Sequence, residues 1–111
     1  MPLVTSILGS EIMFKITGAF DSSTCQECLT AFKQIPRAEL RRICFDIEEV
    51  EELPSCCLGL LRYLQELAQI YHFGLEIRNC SEAARELFEL SGLEGCIAGT
   101  RENGVGQSQS P

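Results

Sequence analysis

Two hydrophobic periodicities alternate along the chain of 111 residues, and this alternation constrains the fold more than any other feature. Apolar side chains recur at every second position in short β-branched runs, and at every third or fourth position in the longer segments between them. The first spacing is typical of strands and the second of amphipathic helices. Strand–helix–strand units with right-handed crossovers and a largely parallel sheet are therefore predicted.

Four segments have the character of strands. Residues 3–8 and 12–16 are rich in β-branched side chains, and the two-residue connection led by Gly9 suits the type II′ turn of an antiparallel hairpin. Residues 43–47 are nearly all apolar, as expected of a strand covered on both faces. Residues 75–79 alternate apolar and polar side chains, which favours a half-buried strand near a sheet edge.

Three segments have the character of helices, and residues that suit capping or termination stand at their ends. The first helix is expected to begin with a capping box of Ser23 and Gln26 and to end by Pro36. The second is expected to begin at Ser55 and to end at Gly74, and the third to begin at Ser81 and to end at Gly92. The chain is therefore predicted to form a single α/β domain over residues 1–98, with the order ββαβαβα and helices packed on a mixed, mostly parallel sheet. Residues 99–111 are polar and lack apolar periodicity, which predicts a disordered tail.

An acidic run at residues 48–52 separates the third strand from the longest helix and is expected to form a loop. Partners and ligands of open α/β sheets gather at the carboxyl ends of the strands and at the helix N-termini beside them. This run and Ser55 therefore mark the end of the domain where function is expected.

The charge balance excludes several classes of partner. The net charge is −7, and the nine Lys and Arg residues are scattered, so neither nucleic acid nor an anionic membrane surface is expected to bind. No apolar run approaches the ~20 residues of a membrane-spanning helix, and no secretory signal pattern is visible. A cytoplasmic protein without membrane insertion is expected, and the sequence leaves its oligomeric state open.

The seven cysteines do not form a metal-binding pattern. There is one Cys-x-x-Cys, Cys25 to Cys28, and one histidine, His72, whereas zinc patterns need a second close pair of ligands. Both thiols of the Cys-x-x-Cys fall on the apolar stripe of the first helix, where cysteine packs as a small hydrophobe. Reduced structural thiols are expected, with no metal and no other cofactor.

No arrangement of residues indicates an enzyme. His72 is about 25 Å from Ser55 along one helix, too far for a nucleophile–base pair. Cys56 and Cys57 lie in the first turn of that helix, which lowers a thiol pKa, but the carboxylates of residues 48–52 oppose this effect and should keep both thiols protonated. Glycine-rich phosphate-binding loops are missing.

Several short motifs occur in an order that resembles the STAS family, the domain shared by sulfate transporters and bacterial anti-sigma factor antagonists. The motifs are Gly18-Ala-Phe-Asp21, Phe45-Asp-Ile47, Ser55-Cys-Cys-Leu-Gly-Leu-Leu61, the strand after Gly74, and Leu90-Ser-Gly-Leu93. The resemblance covers about residues 4–97 and implies the mixed sheet described above.

The resemblance also implies a function for Ser55. In antagonists of this family the loop before the long helix reads Asp-Ser-Ser-Gly-Leu-Gly, and a kinase that is also the anti-sigma factor phosphorylates its first serine, which abolishes binding. The matching stretch here is Pro54-Ser-Cys-Cys-Leu-Gly59, so Ser55 matches the modified serine. Pro54 replaces the aspartate, and Cys56 and Cys57 replace the second serine and the glycine.

The resulting hypothesis is a regulatory module that binds an anti-sigma factor or related serine kinase and is switched by phosphorylation of Ser55. The expected partner-binding residues are Asp21, Glu51, Glu52, Pro54, Ser55, Cys56, Cys57 and Gly59. Alternatively, Ser55 is a plain N-cap and Asp21 only a helix-start residue. Two other functions stay open: an accessory subunit of a lipid-transporting ABC complex, and a small-ligand or anion sensor at the N-terminus of the Ser55 helix.

Overall fold

The strands and helices follow the predicted order ββαβαβα. The computed structural model describes residues 3–98, so the tail predicted for residues 99–111 lies outside the described residues. The elements are β1 (Leu3–Leu8), β2 (Glu11–Ala19), α1 (Ser22–Phe32), β3 (Arg42–Glu52), α2 (Ser55–Tyr71), β4 (Gly74–Arg78) and α3 (Glu82–Leu90), with short 3₁₀ turns at Arg37–Glu39 and Glu94–Cys96. Within residues 3–98 no helix is both long and apolar enough to cross a membrane.

The sheet has the order β1-β2-β3-β4, with β1 antiparallel to β2 and the other pairs parallel. In the turn between β1 and β2, Gly9 has a φ of +63° and Ser10 does not have a positive φ, as a type II′ turn requires. The predicted hairpin and the edge position of β4 are confirmed.

All three helices contribute to one core on one face of the sheet. Both βαβ crossovers advance in the same direction, so right-handed connections place α1 and α2 on the same side. The prediction that the third strand is covered on both faces was therefore wrong. On the opposite face of β3, Asp46 is partly exposed, and Cys44 is buried among side chains of the sheet surface that include Met13 and Arg78.

Phe45 lies at the centre of the core. Its ring is 5.1 Å from that of Phe14 on β2 and 5.7 Å from that of Phe20, and all three rings are fully buried. Tilted aromatic pairs at such distances add to the stabilisation from buried apolar area. The cluster joins β2, β3 and the start of α1 into one packed unit.

Strands β2 and β3 are longer than the sequence predicted. The run at residues 48–52 is the end of β3 and not a loop, because it continues to pair with β2. The register shifts between Lys15 and Thr17 and again between Gly18 and Ala19, and at each shift β3 has one extra residue. The two β-bulges let a charged, exposed segment stay in the sheet.

Two helix ends also differ from the predictions. The capping box at Ser23 is wrong, because Asp21 is the N-cap of α1 and its side chain accepts a hydrogen bond from the backbone N–H of Thr24. That helix ends at Phe32, before the Pro36 that was expected to stop it. The start and end of α3 are confirmed, since the Ser81 side chain accepts from the Ala84 N–H and a positive-φ glycine follows the helix.

The end of α2 is formed by His72 and not by Gly74. His72 has φ 63° and ψ 46°, a left-handed conformation that costs a residue with a β-carbon about 1–2 kcal/mol. Its N–H donates to the Ala68 carbonyl at 2.8 Å, which closes the last turn. Gly74 is instead the first residue of β4.

We expect His72→Gly to raise the free energy of unfolding by about 0.5–1 kcal/mol, because glycine adopts the left-handed conformation without strain. Urea denaturation measures this change. Gln69→Gly, at an exposed position inside the same helix, is the matched control and should lower the free energy of unfolding by about 0.5–1 kcal/mol. Equal destabilisation by both substitutions would contradict the assignment.

Candidate docking site

The N-termini of α1 and α2 lie side by side at the carboxyl ends of β2 and β3. The Phe20 N–H donates to the Glu52 carbonyl at 3.1 Å, which extends the pairing of the two strands beyond their last ladder pair. The Cys56 thiol donates a weak hydrogen bond to the Phe20 carbonyl at 3.9 Å. The chain segments before the two helices are thus fixed relative to each other, and Asp21 and Ser55 belong to one surface.

Ser55 is the first residue of α2 and is exposed. Pro54 occupies the N-cap position, with no side-chain hydrogen bond to the helix, so the alternative interpretation of Ser55 as an N-cap is wrong. Within residues 3–98 the Ser55 hydroxyl has no hydrogen-bond partner. The first turn of a helix also leaves backbone N–H groups without partners inside the helix. A hydroxyl and a partly positive helix end are therefore open to a partner.

Asp21 is exposed and acts as a helix cap. Its Oδ1 accepts from the Thr24 N–H at 3.0 Å, and this hydrogen bond is the main reason that the pKa of Asp21 is lowered. The carboxylate is ionised at neutral pH. Its structural role is established by this contact, and its predicted contact with a partner stays a prediction.

The end of β3 gives this surface a negative charge. Four glutamates there have exposed side chains, namely Glu48, Glu49, Glu51 and Glu52. Glu49 accepts a hydrogen bond from the Thr17 hydroxyl at 3.3 Å, and none of the four forms a salt bridge with another residue in the range 3–98. Unpaired carboxylates on one strand end favour a partner with basic side chains.

Three thiols lie under this surface. Burial raises the pKa of Cys57 to about 12, and burial together with the nearby Cys56 raises the pKa of Cys25 to about 12. The prediction gave the acidic run as the reason for protonated thiols, but at Cys57 the largest cause of the raised pKa is desolvation, and no residue of the run contributes. His72 is at the opposite end of α2, and no three metal-ligating side chains among residues 3–98 are arranged to hold an ion. The Cys25 and Cys57 thiols are therefore protonated at neutral pH.

A groove of about 240 Å³ lies beside the acidic strand end. Its lining residues come from the end of β3 and from α3, namely Ile47, Val50, Glu51, Leu53, Ser81, Ala83, Ala84 and Leu87. The sequence analysis missed the contribution of α3. The predicted parallel pairing of β3 and β4 could have shown it, because parallel strands place the Ser81 cap at the same end of the sheet as Ser55.

The eight predicted partner-binding residues differ in exposure. Asp21, Glu51, Glu52, Ser55 and Gly59 are exposed, Pro54 and Cys56 are half-buried, and Cys57 is fully buried. Seven of them therefore offer at least part of a side chain or backbone to a partner. Cys57 supports the surface from within the core.

Comparison with known proteins supports the resemblance on which Ser55 was singled out. A family model described as "Mlab, STAS domain" matches residues 3–99. Among solved structures, the unphosphorylated anti-sigma factor antagonist SpoIIAA is similar, with a TM-score of 0.75 and 15% identity over 90% of each chain.

Two further structures have the same fold. The phosphorylated form of SpoIIAA, a Bacillus cell fate determinant, has a TM-score of 0.70 and 18% identity over 90% of this chain and 93% of its own. A variant of RsbS from Moorella thermoacetica has a TM-score of 0.66 and 14% identity over 98% of this chain and 87% of its own. No curated protein matches in sequence.

We expect Ser55→Ala to change the free energy of unfolding by less than about 0.5 kcal/mol, because the exposed hydroxyl forms no hydrogen bond within residues 3–98. Ser81→Ala is the matched control and should cost about 1 kcal/mol, because it removes the capping bond to Ala84. Thermal and urea denaturation measure both changes. A larger loss for Ser55→Ala would show that Ser55 caps the helix.

The buried thiols should react slowly. With pKa values of about 12, Cys25, Cys28 and Cys57 carry on the order of a thousandfold less thiolate than a free cysteine at neutral pH. Labelling with iodoacetamide at pH 8, followed by peptide mass spectrometry, should modify these three residues only after denaturation. Rapid labelling of Cys57 in the folded protein would contradict the electrostatic description of the site.

Proposed function

Because the chain belongs to the STAS domain family, we propose that it is a regulatory module that docks onto a partner protein in the manner of an anti-sigma factor antagonist. The partner would be an anti-sigma factor or a related serine kinase. Docking would use the acidic end of β3, the start of α2 and the groove beside α3.

The observation that carries this proposal is the position of Ser55. It is exposed, free of hydrogen bonds within residues 3–98, and located at the first position of a 17-residue helix. An exposed hydroxyl without a hydrogen bond in this range, next to a charged strand end, is available for recognition or modification. The fold is shared with a protein known in an unphosphorylated and a phosphorylated form.

The chemistry of the surface indicates what kind of partner face would fit. The groove between Leu53 and Leu87 would take an apolar side chain, and the glutamates at its edge would pair with Lys or Arg around that anchor. Apolar anchors surrounded by charged contacts are typical of protein–protein interfaces.

Phosphorylation of Ser55 would act on the partner more than on the domain. A phosphate adds about −1.5 to −2 charges, and the N-terminus of α2 would stabilise it locally. The same phosphate would lie near Glu51 and Glu52, so the surface would become more negative and would repel any acidic group of the partner. Since Ser55 makes no structural hydrogen bond within residues 3–98, the modification should eject the partner without unfolding the helix.

The substitutions around Ser55 favour a second candidate function. Pro54 and Cys56 stand where the phosphorylated antagonists have Asp and Ser on either side of the acceptor, and a subunit that stays docked does not need a kinase to recognise the retained Ser55. An accessory subunit of a lipid-transporting ABC complex would use the same surface without the switch. An anion sensor at the same helix end is less favoured, because the four glutamates oppose anion binding.

The proposal is tested with the anti-sigma kinase from the same cell. We expect ATP-dependent phosphate on Ser55 by mass spectrometry, and isothermal titration should show that Ser55→Ala retains binding whereas Ser55→Asp lowers affinity at least about tenfold. Ser10→Asp adds the same charge in the turn at the opposite end of the sheet, and is the matched control that should leave binding unchanged.

The results separate the two candidates. Binding without phosphate transfer, to an ABC-type ATPase and not to the kinase, would support the accessory subunit. Equal loss of binding in Ser55→Asp and Ser10→Asp would contradict the docking surface itself, because a general effect of charge would then explain both.

A further inference from the structure

Within residues 3–98, the two edge strands of the sheet, β4 and β1, differ in whether another segment pairs with their outer side. At the β4 edge the Ala98 N–H donates to the Ile77 carbonyl at 2.9 Å, and Ile97 forms a parallel bridge with Ile77. That strand also carries Glu76 and Arg78, which form a salt bridge at 3.0 Å. At the β1 edge, no segment within residues 3–98 pairs with the outer side of the strand.

The exposed edge at β1 lacks the features that normally prevent pairing with another chain. Natural edge strands carry charges, proline or bulges that block such pairing. β1 reads Leu-Val-Thr-Ser-Ile-Leu, without charge, proline, glycine or bulge. Three of its four apolar side chains are nevertheless exposed: Val4 by 54%, Ile7 by 47% and Leu8 by 84%.

The hairpin fixes which backbone groups of β1 point outward. A two-residue turn makes its flanking residues, Leu8 and Glu11, a hydrogen-bonded pair. Hydrogen-bonded pairs alternate along an antiparallel ladder, so Ser6 and Val4 also bond to β2. Thr5 and Ile7 therefore present their N–H and C=O groups to the outside.

We propose that β1 pairs antiparallel with β1 of a second copy of this chain, about a two-fold axis through Ser6. Thr5 then exchanges backbone hydrogen bonds with Ile7 of the second copy, which makes four bonds across the seam by symmetry. Val4 packs against Leu8 of the second copy, and the two Ser6 side chains oppose each other. Two-fold pairing of identical surfaces is the commonest route to a closed oligomer.

The register follows from burial. An axis through Thr5 would also keep outward groups opposite each other, but it would place Leu8 beyond the end of the opposing strand. The axis through Ser6 covers Leu8, the most exposed apolar residue of the strand, with Val4. It also brings Ile7 beside Thr5 on the face that carries the helices.

The low charge of this edge allows a second copy of the chain to be the occupant. Two chains of net charge −7 repel each other at most surfaces, whereas β1 contains no charged residue. The neighbouring side of α1 continues this low-charge surface, since a groove of about 350 Å³ beside β1 is lined there by Gln26, Glu27, Thr30, Ala31 and Gln34, with one charge among five. Copies of this chain can therefore meet here without opposing rows of carboxylates.

The arrangement leaves the docking site free. Both copies keep their helices on the same face of an eight-stranded sheet, because opposed residues across the seam share a face. The strands of the two copies run in opposite directions, so the two Ser55 surfaces lie at opposite ends. Dimer formation is thus independent of the proposed partner and kinase.

Sedimentation velocity over a range of protein concentrations tests the dimer. We expect the wild type and Ser6→Ala to sediment at twice the chain mass. Ser6→Lys and Ser6→Glu should each shift the protein to the monomer, because like charges directly opposite each other destabilise a strand pair. Their thermal unfolding should match that of the wild type at a dilution where the dimer has dissociated, since Ser6 is exposed.

An equimolar mixture of Ser6→Lys and ¹⁵N-labelled Ser6→Glu provides the decisive measurement. Opposite charges at the axis should restore a dimer, and native mass spectrometry should identify it as the mixed species. A wild type that remains monomeric, a dimer that survives in Ser6→Lys, or a mixture that stays monomeric would each overturn the proposal.

Discussion

The parallel pairing of β2 with β3 around the buried ring of Phe45 is the interaction on which the rest of the structure depends. The rings of Phe14 and Phe20 pack on Phe45 from β2 and from the segment after it. This packing holds the two strands together through two register shifts, up to the Phe20–Glu52 hydrogen bond. The starts of α1 and α2 are consequently fixed relative to each other, and the candidate docking surface is built on that fixed junction.

At the candidate docking surface, charge and burial act on different groups. Exposed glutamates give it a negative potential, while the thiols directly below are kept neutral by desolvation. A helix N-terminus alone would lower the pKa of a cysteine, and at Cys57 burial outweighs this effect. What remains accessible is the Ser55 hydroxyl, an apolar groove and a set of carboxylates, which together suit recognition of a protein.

The two edges of the sheet differ in pairing and in charge. The β4 edge is closed by the segment around Ile97, and the carboxyl ends of the strands carry the charged residues. The β1 edge is neutral, apolar and open within residues 3–98. The proposed dimer seam and the proposed docking surface share no residue, so the two proposals can be tested independently.

Much of the fold could be predicted because it depends on local patterns. The alternating periodicities gave the order of strands and helices, the Gly9 turn gave the hairpin, and Ser81 and Gly92 gave the ends of α3. The motifs around Ser55 led to the STAS family, which the family model confirms. These features act over a few residues, where turn chemistry and side-chain spacing determine the conformation.

Tertiary contacts decided the rest. By itself the sequence determined that residues 48–52 are acidic and exposed, but only the neighbouring β2, with its complementary hydrogen bonds, makes them a strand. Asp21 replaced Ser23 as the cap because β2 continues to Ala19 and sets where the helix begins. His72 accepted a left-handed conformation because α2 must end where β4 starts its pairing with β3. The groove beside α3 exists for the same reason: long-range strand pairing, which no local pattern encodes, brings distant segments to one end of the sheet.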